Sequence, residues 1–177
     1  METTEKEILD EILSENRYVG VVSDTVYINK FVKEHNLDIT NLPQETNQTV
    51  KSVIVALKKK ISEVLTKKAI LQIGFPEYEK SLLKIFADVQ DMSICEGFKT
   101  LQTEFIKKNY LSAEIDIIYG LLFGYKTCDI RYYIQTRDQG LPRHQFETEM
   151  DKKIGNRERT LDEQYVRCEK CILEYLK

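Results

Sequence analysis

The chain has no tryptophan, two histidines, three prolines, four cysteines and seven glycines in 177 residues. Each scarcity closes off a class of protein. So little glycine and proline exclude a collagen-like or low-complexity chain and predict mostly regular structure. Four cysteines are too few for a disulfide scaffold, so in a reducing compartment their expected states are free thiol or metal-bound thiolate. No apolar run approaches the roughly eighteen residues of a membrane span. The opening METTEKEILDEILSEN lacks the cationic and apolar regions of a signal peptide, so a cytoplasmic protein without a membrane partner is expected. Formal charge is −3, from 26 basic and 29 acidic residues, which supplies no global field towards nucleic acid. There is no Walker loop, GxGxxG, HExxH or GxSxG, so any catalysis must rest on scattered residues.

What is present fits one globular domain over residues 1–177: 42% of residues are hydrophobic and 31% charged. Ile8, Leu9, Ile12 and Leu13 share one face of an opening helix, with Thr3 or Thr4 as its cap. YVGVV reads as a strand, Ser23 or Asp24 as the next cap, and Val26, Ile28, Phe31 and Val32 as the buried stripe of a second helix. Pro43 and its polar neighbours predict a mobile loop over 37–47. Val50, Val53, Ile54, Leu57, Ile61, Val64 and Leu65 recur every three or four residues, which predicts a long helix over 46–67. AILQIGF is a second strand-like run that would pair with YVGVV, and Pro76 opens a helix behind it. Further helices follow over CEGFKTLQTEFIKKNY, over AEIDIIYGLLF capped by Ser112, over CDIRYYIQTRDQ capped by Thr127, and over 143–154 and 161–177. Gly124 suits a left-handed helix terminator and Gly120 a close approach of helices. The expected fold is α+β, predominantly helical, with a small sheet of about two short strands.

Chemistry concentrates on few residues. Cys128 falls in the first turn of a helix, where unpaired N–H groups and the helix dipole favour anionic sulfur. The plain alternative is a small buried thiol. Cys168 and Cys171 form a CxxC, half of a zinc site and also a dithiol spacing. The remaining soft ligands are few: Cys128 with His144, or Cys95 as a substitute, can complete four, for zinc or for an iron-sulfur cluster. Cys128 with His144 as base also defines a cysteine-dependent enzyme as the alternative. Lys58, Lys59, Lys60, Lys67 and Lys68 are the nucleic-acid candidates, diluted by acids that make an ordinary solvated face the simpler reading.

The segment GLLFGYKTCDIRYYI resembles an archaeal family described as a domain of unknown function, whose members carry a GLLLGYPxCC turn and a cysteine-containing tail. Gly120, Leu121, Leu122, Gly124, Tyr125 and Cys128 carry the resemblance, with an echo in YVRCEKC. Lys126 stands where the family has proline, and Asp129 where it has the second cysteine, which removes one soft ligand. The resemblance implies a cytosolic protein of an archaeon or of a virus of such a host, and brings no activity with it. Together these readings point to a non-enzymatic interaction module for a protein partner, with a cysteine-ligated structural metal, zinc, as its candidate cofactor.

Overall fold

The sheet decides the layout. In the computed structural model, which describes residues 3–44, 48–65, 75–108, 113–139, 152 and 168–176, three short strands pair antiparallel in the order β1-β3-β2. They are β1 (Val19–Ser23), β2 (Asp38–Asn41) and β3 (Ser52–Ala56), with Val21 opposite Ile54 and Thr40 opposite Ile54. The central strand is buried on both faces because helices cover both. Val53 and Val55, with Val22, meet Ile8, Leu9 and Ile12 of α1 (Thr3–Leu13) and Ile28 and Val32 of α2 (Val26–Glu34). Ile54 and Ala56, one residue out of phase, point the other way, as the twofold period of a strand requires. They join the larger core.

That core gathers α3 (Ile61–Val64), a 3-10 turn at Pro76–Tyr78, α4 (Glu79–Val89), α5 (Ile94–Lys108), α6 (Ala113–Leu122) and α7 (Thr127–Gln139). α8 (Glu169–Leu176) lies against the start of α7. The chain is mostly helical with a small antiparallel sheet, an α+β fold. No helix among the described residues is long and apolar enough to cross a membrane.

Several sequence expectations are corrected. The helix expected over 46–67 is instead β3, a turn through Lys58 and the four-residue α3. Residues 38–41 of the expected loop are a strand, since Leu42 N–H donates to Ser52 O (3.1 Å) and extends the β2 pairing; residues 45–47 lie outside the described residues. Among the described residues the sheet therefore has three strands, with β1 paired to β3. AILQIGF falls, up to residue 74, outside the described residues, as do Ser112 and the helix expected over 143–154 apart from Lys152. α2 is capped by Thr25, whose Oγ1 accepts from Ile28 N–H (3.2 Å), rather than by Ser23 or Asp24. Val26 is 88% exposed, outside the buried stripe. Thr127 is the first residue of α7 and not its cap.

Two polar features of the core carry predictions. Asp116 of α6 and Arg137 of α7 form an ion pair whose side chains are 9% and 17% exposed. Arg137 also meets Asp138 Oδ1 at 2.9 Å, so Asp116→Ala leaves that charge with one exposed partner and is expected to cost about 2 kcal/mol in chemical denaturation. The Tyr119 hydroxyl is the opposite case, since it is buried without a hydrogen-bond partner among the described residues while its ring packs on Phe98 at 4.9 Å. Tyr119→Phe removes only that unsatisfied group and is expected to leave stability unchanged or to raise it by about 1 kcal/mol.

Candidate metal centre

The junction between α6 and α7 is fixed by local stereochemistry. α6 ends in a Schellman motif: Tyr125 N–H donates to Gly120 O (2.8 Å) and Gly124 N–H to Leu121 O (3.1 Å), with Gly124 at φ +78°. The turn is anchored from below by the segment after α1. Tyr18 N–H donates to Leu122 O (2.8 Å), while buried Arg17 donates from Nε to Val19 O (3.0 Å) and lies over the Phe123 ring (4.9 Å). Gly120 sits against Ile130, so close that a Cβ there would stand 2.5 Å from Ile130 Cγ1. α7 then starts immediately. Lys126 O accepts from Asp129 and Ile130 N–H (2.9 and 3.1 Å), which places Cys128 and Asp129 in the first turn.

α8 meets this turn with its own N-terminus. Ile172 N–H donates to Cys168 O (3.0 Å), so Cys168 occupies the capping position and Cys171 the third helical residue. Cys128 Sγ and Cys171 Sγ are 3.4 Å apart, Cys128 Sγ and Asp129 Oδ1 3.9 Å, and Cys168 N–H donates to Asp129 Oδ1 at 2.7 Å. One ligand atom from each of Cys128, Asp129, Cys168 and Cys171 lies within 4.8 Å of all the others. Cys128 is exposed, Cys168 half-buried, and Asp129 and Cys171 buried. Lys126 reaches Glu174 of α8 at 3.9 Å on the rim.

This donor set fits a single metal ion. Two thiolates about 2.3 Å from a tetrahedral zinc stand about 3.8 Å apart, and a thiolate and a carboxylate oxygen about 3.6 Å. The observed sulfur–sulfur distance of 3.4 Å is shorter than the first value and the sulfur–oxygen distance of 3.9 Å longer than the second, each by a few tenths of an ångström. An iron-sulfur cluster spreads its cysteines over separate irons, which needs a wider set than this one. Three thiolates and a carboxylate around a dication would leave two net negative charges, and the first turns of α7 and α8, whose dipoles favour negative charge, meet at the cluster. Burial pushes the Cys168 and Cys171 thiols above their ordinary range, and the neighbouring Cys128 and Asp129 add to the rise at Cys171. A metal must therefore displace protons to bind, and its affinity falls as pH falls.

Of the residues singled out in the sequence, Cys128, Cys168 and Cys171 come together. Cys95 does not join them: its sulfur faces Ile54 O (3.6 Å) under the sheet, and burial raises its pKa. His144, proposed both as ligand and as base for Cys128, lies outside the described residues. His35 ends α2, exposed and packed on Phe31 at 4.2 Å. Lys58, Lys59 and Lys60 form a turn rather than a helix face, and their ammonium groups meet Asn36 (2.7 Å), Glu15 (2.9 Å) and Asp91 (3.7 Å). Lys67 and Lys68 lie outside the described residues. Asp129 is the candidate ligand that sequence reasoning missed. Its signal was position, an acid beside Cys128 in a first helical turn. No family model, no curated protein and no solved structure matches the chain, so the roles of its residues rest on their geometry.

Proposed function

We propose that this chain is a non-enzymatic interaction module in which a zinc ion, held by Cys128, Asp129, Cys168 and Cys171, pins α8 to the start of α7. The observation that carries the reading is the convergence of four ligand atoms from two helix N-termini within 4.8 Å. A set of four protein ligands is the structural type of zinc site, whereas catalytic sites keep a position for water or substrate. The ion would supply folding free energy across a join in which Cys171 and Ile172 are the buried residues of α8 among those described. Support for an interaction surface comes from the far end of the sheet. Asp24 N–H donates to Lys51 O (2.7 Å), which ties the segment leading into the exposed Val26 and Tyr27 of α2 to the one that follows the 58% exposed Val50.

Cobalt(II) tests the site directly, because it takes zinc positions and reports its ligands by colour. The metal-free chain titrated with cobalt is expected to develop intense sulfur-to-cobalt charge-transfer absorption and tetrahedral d–d bands, saturating at about one ion per chain and bleached by zinc. Weak, octahedral-type absorption without charge transfer would contradict the reading.

A further inference from the structure

The three thiols support chemistry beyond holding an ion. Cys128 is the exposed member of the cluster and Cys171 the buried one, and their sulfurs are already 3.4 Å apart although 43 residues separate them in the chain. A disulfide needs about 2.05 Å, so the two sulfurs have about 1.4 Å to close. Cys168 sits at the cap of α8 with the Cys171 N–H directed at its sulfur, and is less exposed than Cys128. An oxidant arriving from solvent therefore meets Cys128 first, and the Cys171 sulfur stands 3.4 Å from that of Cys128.

We propose that the Cys128–Cys171 pair is an oxidative modification site: a hydroperoxide converts it to a disulfide that replaces the metal as the link between α7 and α8. In the first step the Cys128 sulfur attacks the peroxide. The O–O bond breaks, an S–O bond forms, and sulfur gives up two electrons to become a sulfenic acid while the other oxygen leaves as water or alcohol. In the second step the Cys171 sulfur displaces that hydroxyl as water and the S–S bond forms. Two thiols and one hydroperoxide thus give one disulfide, one alcohol or water, and one further water. The remaining donors, Cys168 and Asp129, are too few to retain the ion, so oxidation releases it. The release step rests on the metal reading, whereas the disulfide itself does not need a bound ion.

The sequence makes the test simple. Trypsin cuts after Lys126, Arg131, Arg167 and Lys170, which puts Cys128, Cys168 and Cys171 on three separate peptides, 127–131, 168–170 and 171–177. The zinc-loaded full-length chain is treated with hydrogen peroxide, released zinc is read with a colorimetric chelator, and free thiols are blocked before digestion. The expected result is a 127–131 to 171–177 crosslink, rising in step with zinc release and reversed by a dithiol reductant. Cys168→Ser is expected to form the same crosslink while holding metal poorly, so a failed metal site and a failed disulfide are distinguished in one series. A crosslink between 168–170 and 171–177, its loss in Cys168→Ser, or Cys128 recovered as sulfinic acid without a crosslink would overturn the proposal. A chain that carries no zinc contradicts the metal reading alone, and the crosslink map still decides this one.

Discussion

Gly124→Ala is expected to destabilise the chain by about 3 kcal/mol or more, a fall in melting temperature of roughly 6 to 12 °C for a chain of this length. Two costs add. An alanine at φ +78° occupies the left-handed region, which costs roughly 1 to 2 kcal/mol. Its Cβ would also stand 2.0 Å from Asn16 O and 3.3 Å from Arg17 Cα, both backbone atoms. Backbone cannot rotate aside as a side chain does, so the helix end or the segment under it must move. That segment is tied by Arg17 to β1 and by Tyr18 to Leu122, which leaves little slack. Gly120→Ala meets only the Ile130 side chain and is expected to cost less. The consequence reaches the site, because Gly124 sets where α7 begins and therefore where Cys128 and Asp129 stand. Cobalt affinity in Gly124→Ala is expected to fall together with stability. A loss below about 1 kcal/mol would contradict this account of the turn.

The other large effect is expected from Cys171→Ser. Serine is close in size but is a poor zinc ligand, so the substitution removes a buried donor with little change in packing. The wild-type chain is expected to lose several kcal/mol when a strong chelator strips its metal, since the binding free energy of a structural zinc is folding free energy. Cys171→Ser is expected to start from that lowered stability and to ignore the chelator. Cys95→Ser provides the control, because Cys95 is equally buried but faces Ile54 O away from the cluster. Its melting temperature is expected to fall modestly and to keep the chelator response. If Cys95→Ser and Cys171→Ser behave alike, the two thiols are both ordinary core residues and the clamp is not held by metal.

The residues that were legible in the sequence are those whose role is local. Gly124 as a terminator and Cys128 in a first helical turn follow from bonds within five residues, Gly120 as a close approach from the contact with Ile130 ten residues on, and each is found in the structure. β3 was illegible for a definite reason. Val50, Val53, Ile54 and Leu57 fall by coincidence at helical spacing, while a central strand covered on both faces shows a continuous apolar run with no alternation to betray it. The β-branched triplet Val53, Ile54 and Val55 was the contrary signal. β2 was hidden because DITN forms a strand only by pairing with β3, a partner more than ten residues away. The cluster divides in the same way. CxxC marks half a site, but nothing local says that Cys128 will meet Cys171. Asp129 was read as the loss of a cysteine, although a carboxylate at the same place in the turn can offer a harder ligand in its stead.

The most direct measurement is elemental analysis of the chain purified without a metal-affinity tag. About one zinc per chain in the wild type, absent from Cys171→Ser and retained by Cys95→Ser, is the result expected of a single Cys3Asp site. Wild-type protein free of zinc and unable to take it up, or Cys171→Ser that still carries a full complement, would contradict the clamp.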